Sequence, residues 1–216
     1  MSGQSLQASA LCLDEEQIFV LRLVSDTQSD KSQVLKRARE QLRERLILQS
    51  DRDLYKQRAR FDSLTSLFNK AAFMEALEEE IHHASLSGGD LSLLLIDIDD
   101  FKFVNESHGH IAGDTILSAI GRILRDFLRR DDMATRYGGE EFAVLAPYTM
   151  LHQAVRIAEK LRKVIAEQDF GALPLITVSI GCASLGQGED AQAFIRRADS
   201  ALYAAKKCGK NVVKTA

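Results

Sequence analysis

The stretch that most constrains this chain is Arg136-Tyr137-Gly138-Gly139-Glu140-Glu141-Phe142. Two short runs flank it, Met133-Ala134-Thr135-Arg136-Tyr137 and Phe142-Ala143-Val144-Leu145. Runs joined by Gly-Gly read as a β-hairpin, because a tight turn needs positive φ and glycine supplies it without steric cost. Glu140 and Glu141 then fall at the tip and the root of the second strand. Two adjacent negative charges there are either a solvated turn or part of a cation site.

A second carboxylate cluster favours the cation site. Leu93-Leu94-Leu95-Ile96 is an unbroken apolar run, the mark of a buried strand. It ends in Asp97-Ile98-Asp99-Asp100. A buried strand that delivers Asp97 beside a hairpin carrying two glutamates builds an oxygen-only site for a hard cation. Magnesium takes few protein carboxylates and completes its shell with substrate phosphates. The expected cofactor is therefore Mg²⁺, with Mn²⁺ as a substitute, and the expected chemistry is on a nucleotide.

At these residues the chain resembles the GGDEF family of diguanylate cyclases, with the signature in its Gly-Gly-Glu-Glu-Phe form. The resemblance begins at Asp62-Ser63-Leu64-Thr65-Ser66-Leu67-Phe68-Asn69, ends near Gly209-Lys210-Asn211, and covers roughly residues 62 to 213 in the family's order. It implies an α/β sandwich with a mostly antiparallel central sheet covered by helices, like nucleotide cyclases and polymerase palms. It also implies that two GTP condense into cyclic di-GMP and two pyrophosphates, with one GTP held by each of two facing chains. Asp97, the Ile98 carbonyl, Glu140 and Glu141 would hold the metal, and Asp97, Glu140 and Glu141 form the catalytic set. Asn105 and Asp114 would hydrogen-bond guanine; a carboxylate accepts from guanine N1–H and its amine together, which adenine cannot offer. Phe101, Lys102, Gly138, Gly139, Lys206 and Lys210 complete the substrate-binding set. Lys210 departs from the usual Arg, keeping the charge and losing the bidentate fork. Arg129 and Asp132 match the family's inhibitory product site. Lys160 stands where a further Arg is usual. The rival reading is a non-catalytic receptor for cyclic di-GMP.

Each of these residues also has a plainer reading. Asp114 fits the N-cap of a helix predicted from about Asp114 to Arg129. Arg129 and Asp132 fit a surface ion pair of small energetic value. Lys206 and Lys210 fit a complement to a helix dipole. His108 and His110 read as structural, and His82 and His83 as exposed.

Composition excludes several classes. A net charge of −3 gives no polyanion-binding face, and no aromatic residues interleave with the basic ones for stacking on nucleic acid. Cys12, Cys182 and Cys208 lie far apart, without disulfide or zinc spacing. A reducing, cytoplasmic setting is expected, with no membrane span and no signal peptide.

The N-terminal quarter reads separately. Residues 1–30 hold two short strands, 10–13 and 17–24, with a turn at 14–16: either a tail or the last hairpin of a PAS-type sensor domain. Residues 31–61 lack Gly and Pro and read as one long helix. Leu35 and Leu42, and then Ile47, Leu54 and Phe61, repeat at seven. This interrupted heptad predicts a parallel coiled coil between two copies. Residues 62–216 form the expected catalytic domain, with further helices at 70–83, 151–167 and 190–208 and strands at 175–181 and 211–213.

Overall fold

The structure is a computed structural model, and it describes residues 8–13, 16–21, 36–37, 39–43, 45–46, 60–171 and 173–216. The chain divides into two units, residues 1–56 and 57–216. In the first unit, β1 (Ala8–Leu13) and β2 (Glu16–Leu21) pair antiparallel, with Leu13 opposite Glu16. The described residues between 36 and 46 are helical. Leu35, Ile47 and Leu54 of the expected heptads lie outside the described residues.

The second unit is built on the apolar run seen in the sequence. β4 (Leu91–Ile98) is buried along its whole length. It pairs antiparallel with β6 (Glu141–Pro147) on one side and with β7 (Val178–Ser184) on the other. β5 (Met133–Arg136) continues the sheet antiparallel to β6. Two parallel edges close it: β3 (Phe68–Asn69) on β5, and β8 (Val213–Thr215) on β7. The order β3-β5-β6-β4-β7-β8 is a mixed sheet, antiparallel through its centre.

Strand side chains alternate between faces, so β4 serves two cores. Leu94, Ile96 and Ile98 pack with α3 (His110–Phe127) and α4 (Leu151–Glu167). Leu91, Leu93 and Leu95 pack with α1 (Lys70–Ser87) and α5 (Ala191–Lys207). Both α1 and α5 start on a side-chain cap, Asn69 accepting from the Ala72 N–H and Asp190 from the Ala193 N–H. Helix α5 lies directly on β7 at Gly181, where an added Cβ would stand 2.2 Å from the Ala198 carbonyl oxygen.

Three sequence expectations need correction. First, the Gly-Gly connection is no two-residue turn. β5 ends at Arg136 and β6 begins at Glu141, so residues 137–140 form the loop, and neither Gly138 nor Gly139 has positive φ. The longer loop spreads the reversal over four residues, so the backbone needs no left-handed step. A Cβ on Gly138 would meet Glu141 Oε2 at 2.5 Å, the end of a side chain that can swing aside. Second, the helix expected from Asp114 begins at His110, after a separate helix α2 (Phe101–His108). Gly109 alone, at φ +82°, breaks the two. Asp114 therefore lies within the helix rather than capping it. Third, the strand expected at 175–181 runs from Val178 to Ser184, and Leu175 is exposed.

Cys182 is buried in the core, which pushes its thiol up to about 12, whereas Cys208 is exposed. Among the described residues no helix is long and apolar enough to cross a membrane.

Candidate active site

The site is assembled at the C-terminal end of β4. Asp97 is 4% exposed and stands opposite Glu141 on β6 and Ser179 on β7. Ile98 follows, and its N–H donates to the Glu140 carbonyl at 3.3 Å. The loop 137–140 is thus stitched to the strand end. Lys206, in the last turn of α5, places Nζ 2.7 Å from Asp97 Oδ2.

One ammonium does not balance three carboxylates. Burial raises the Asp97 carboxyl, Glu141 and Asp99 raise it further, and Lys206 opposes them without winning. Burial, Asp97 and Glu141 likewise raise Glu140 above the ordinary glutamate range. Excess negative charge in a partly desolvated place is what a bound cation relieves. Asp97, Glu140, Glu141 and the nearby Ile98 backbone offer only oxygen donors, the type a hard divalent ion takes, but among the described residues no group of three or more His, Cys, Asp or Glu stands arranged to hold an ion.

Asp99 does different work. It accepts from Thr177 Oγ1 at 2.7 Å, from Ser179 Oγ at 2.6 Å and from the Asn211 N–H at 2.9 Å. It ties the strand end to β7 and to the segment after α5. Asp100, at φ +54°, turns the chain into α2 and accepts from Lys210 Nζ at 2.5 Å. Lys206 and Lys210 therefore both meet carboxylates of the segment 97–100.

The segment 62–69 braces the loop. Asp62 accepts from the Thr65 N–H and hydroxyl at 2.9 and 2.7 Å. Arg136 Nη1 reaches both Asp62 carboxylate oxygens at 3.2 Å, and its Nε and Nη2 donate to the Gly139 carbonyl at 3.2 and 2.8 Å. On the other flank Tyr137 takes Lys70 over its ring at 4.3 Å and packs T-shaped with Phe73, ring centroids 5.4 Å apart. Both residues before the glycines are thereby held by 62–73. Gly139 has open space where a Cβ would be.

Asp114 lines an open cleft of about 450 Å³ with Leu64, Ile111, Thr115, Ser118, Ala119 and Arg122. Asn105 reaches the same helix from α2: a Cβ on Gly113 would fall 2.1 Å from its Oδ1. A side chain at Gly113 would displace that amide from the helix. Leu64 was missed by sequence reasoning as a wall of this cleft. Its place in the Asp62 motif was the available signal. Phe101 is buried in the core, while Lys102 is exposed and pairs with Glu106 at 3.7 Å. His108 and His110 are both exposed at the helix break.

Arg129 and Asp132 bind each other. Arg129 Nη2 is 2.7 Å from Asp132 Oδ1, with Nε and the backbone N–H on Oδ2. The Asp132 side chain is 1% exposed and that of Arg129 57%. The same guanidinium donates to Thr149 Oγ1 at 2.8 Å, a partner that the sequence did not suggest. The pair sits at the start of β5, and four strand residues, about 13 Å, separate it from the glycine loop. Lys160 is exposed on α4. Among the described residues no hydrogen bond or ion pair joins it to Arg129 or Asp132.

A family model described as "Diguanylate cyclase, GGDEF domain" matches residues 59–212. The chain belongs to the GGDEF family. Its GGDEF domain is 43% identical over 164 residues to the diguanylate cyclase DgcP of Pseudomonas aeruginosa, covering 74% of this chain and 24% of that protein. The coiled coil and GGDEF domain of DgcB from Caulobacter crescentus, solved with c-di-GMP, superposes with a TM-score of 0.72 at 31% identity. It covers 88% of this chain and all of that one. The active GGEEF domain of a diguanylate cyclase from Vibrio cholerae gives a TM-score of 0.66 at 31% identity over 68% of this chain and 96% of that one. The chain spans about a quarter to two fifths of the length of the first curated relatives it matches. The fold of these GGDEF structures and the sheet described above agree.

Proposed function

We propose that this protein is a diguanylate cyclase. Two copies, each holding one GTP, condense them into cyclic di-GMP and two pyrophosphates. Each ribose 3′-hydroxyl attacks the α-phosphorus of the other nucleotide, a P–O bond forms, and the bond to pyrophosphate breaks. The proton of each hydroxyl is lost. The observation that carries the reading is the cluster of Asp97, Glu140 and Glu141 beside Lys206, with two carboxyls raised by crowding and burial.

In this reading Asp97, Glu140, Glu141 and the Ile98 carbonyl would hold one or two Mg²⁺, which would supply positive charge against the triphosphate and a lowered pKa for the attacking hydroxyl. Glu140, whose carboxyl is raised by burial and by Asp97, would help take up the proton. Lys206 and Lys210, now on Asp97 and Asp100, exchange those carboxylates for phosphate oxygens. Gly139 leaves room for backbone approach to phosphate. Asp114 and Asn105 read guanine, with Leu64 against the base. Arg129 and Asp132 take product, and Lys160 makes a weaker bridge than Arg because it lacks the fork.

Incubation with GTP and Mg²⁺, followed by chromatography, tests this. The parent should release cyclic di-GMP and pyrophosphate, and Glu140→Gln should lose at least about a hundredfold in rate while staying folded. A parent that binds cyclic di-GMP tightly through Arg129 but turns over no GTP would instead make it a receptor.

A further inference from the structure

Three consecutive residues after α5 have left-handed backbone: Gly209 at φ +105°, Lys210 at +62° and Asn211 at +46°. Only the first is glycine. Side chains disfavour this region, so such a turn persists where its surroundings over-determine it. Here they do so at several points. The Asn211 N–H donates to Asp99 Oδ2 at 2.9 Å. Arg162 Nη1 donates to Asn211 Oδ1 at 2.8 Å. The Lys210 N–H reaches the Ala205 carbonyl at 3.3 Å, and its Nζ reaches Asp100. Asp100 is itself left-handed. Two strained turns therefore meet through one ion pair, beside the strand end that carries Asp97.

Arg162 is the member of this network that the reading above leaves without a role. It stands on α4, outside every motif noted in the sequence. Its side chain is 17% exposed, and Glu159 Oε2 accepts from its Nε at 3.0 Å. One edge of the guanidinium is thus fixed on its own helix, and the other reaches across to Asn211. A planar, doubly held guanidinium sets position more sharply than a lysine does.

We propose that Arg162 is a positioning residue for the triphosphate of GTP, acting through Asn211 to hold Lys210 in its left-handed turn. The proposal rests on the reading of the site as GTP-binding and adds to it a helix that supplies none of the site's candidate ligands. Without Arg162, Asn211 loses its side-chain donor, and residues 210–211 relax toward ordinary backbone. Lys210 then leaves the phosphate end, and the substrate must reorder the turn on binding, which weakens affinity. The chemical step stays intact, because Asp97 and Glu140 are held by β4 and the hairpin loop. A lost binding contact of this kind raises KM and spares kcat.

Steady-state GTP kinetics and GTP calorimetry on the full chain decide it, with Arg162→Met, Asn211→Gly, Lys210→Ala and the double variant Arg162→Met/Lys210→Ala. Arg162→Met should raise KM and Kd about tenfold, the scale of one charge-assisted contact, with kcat within about twofold. Asn211→Gly accepts the left-handed turn but lacks the acceptor, and it should raise KM likewise. In the Lys210→Ala background Arg162→Met should add nothing, a non-additive cycle. A lowered melting temperature with unchanged KM would make Arg162 mere packing and overturn the proposal. Multiplying effects in the double variant would overturn it too. Should Arg162→Met fail to fold, an unchanged KM in Asn211→Gly is equally fatal. If the parent neither binds nor turns over GTP, the site reading falls and this one with it; if the parent is active and both variants match it, only this one falls.

Discussion

Thr135 lies in β5 with its Oγ1 fully buried and, among the described residues, without a hydrogen-bond partner. An unpaired buried hydroxyl costs stability, and valine keeps the shape without it. Thr135→Val should therefore gain about 1 kcal/mol in chemical denaturation. A loss instead would mean that the hydroxyl is paired in solution. Glu140 poses the reverse case, where function costs stability. Its carboxyl is raised by burial, Asp97 and Glu141. A folded-state pKa above the unfolded one means the native state binds more protons, so stability falls as pH rises through the window between them. The cost is fully present above the raised value and gone below the ordinary glutamate value. Without divalent ions at neutral pH, Glu140→Gln should melt above the parent and lose part of that acid-side gain. Millimolar Mg²⁺ should raise the parent's melting temperature more than the variant's. An equal or lower melting temperature for the metal-free variant would contradict the crowding argument. At this scale the sequence was most informative: the carboxylates 97, 140 and 141 were legible from an apolar run and two glycines. Thr149 beside Arg129, Thr177 and Ser179 beside Asp99, and Asn211 beside Asp99 and Arg162 were not, because each is remote in sequence from the residue it meets and is brought near only by the fold.

Among the elements, α5 packs backbone against backbone on β7 at Gly181. An added Cβ at Gly181 would stand 2.2 Å from the Ala198 carbonyl oxygen and 2.3 Å from the Leu202 nitrogen, both backbone atoms that cannot swing aside. Gly181→Ala must push the helix off the strand, and it should cost about 3 kcal/mol or more. Because α5 carries Lys206, the same shift should lift that ammonium off Asp97 and lower activity beyond the loss of folded protein. Unfolding curves together with activity per folded molecule check both parts; a loss below about 1 kcal/mol would show that the helix can yield. Helix and strand identities were legible because hydrophobic periodicity marks them strongly. The errors fell where one residue decides. A single Gly109 splits α2 from α3, and no periodicity reports such a break. The hairpin loop was read too short because Gly-Gly suggests the tightest turn, whereas neither glycine takes the positive φ that such a turn needs.

At the scale of the whole molecule the proposed reaction sets a requirement. On that proposal one site takes one GTP and the product contains two nucleotides, so a second copy would supply the other half. Leu42 and Leu46 are exposed at 60% and 58% on helical backbone four residues apart, which puts them on one face. A large apolar pair left in water on a charged helix is the kind of seam a parallel coiled coil covers. Pairing through such a seam converts the meeting of two half-sites into an intramolecular event, at an effective concentration of order millimolar. A chain beginning at Gln57, the first residue of the second unit, should keep the fold and lose this advantage. Its activity per chain should fall at least about tenfold at nanomolar protein and recover steeply as concentration approaches the effective value. Leu42→Glu/Leu46→Glu in the full chain should do the same by placing charges in the seam, and sedimentation should show both variants as monomers where the parent is a dimer. If the shortened chain is as active as the parent at nanomolar concentration, the helix does not serve catalysis by pairing, and the half-sites must meet through the catalytic domain alone.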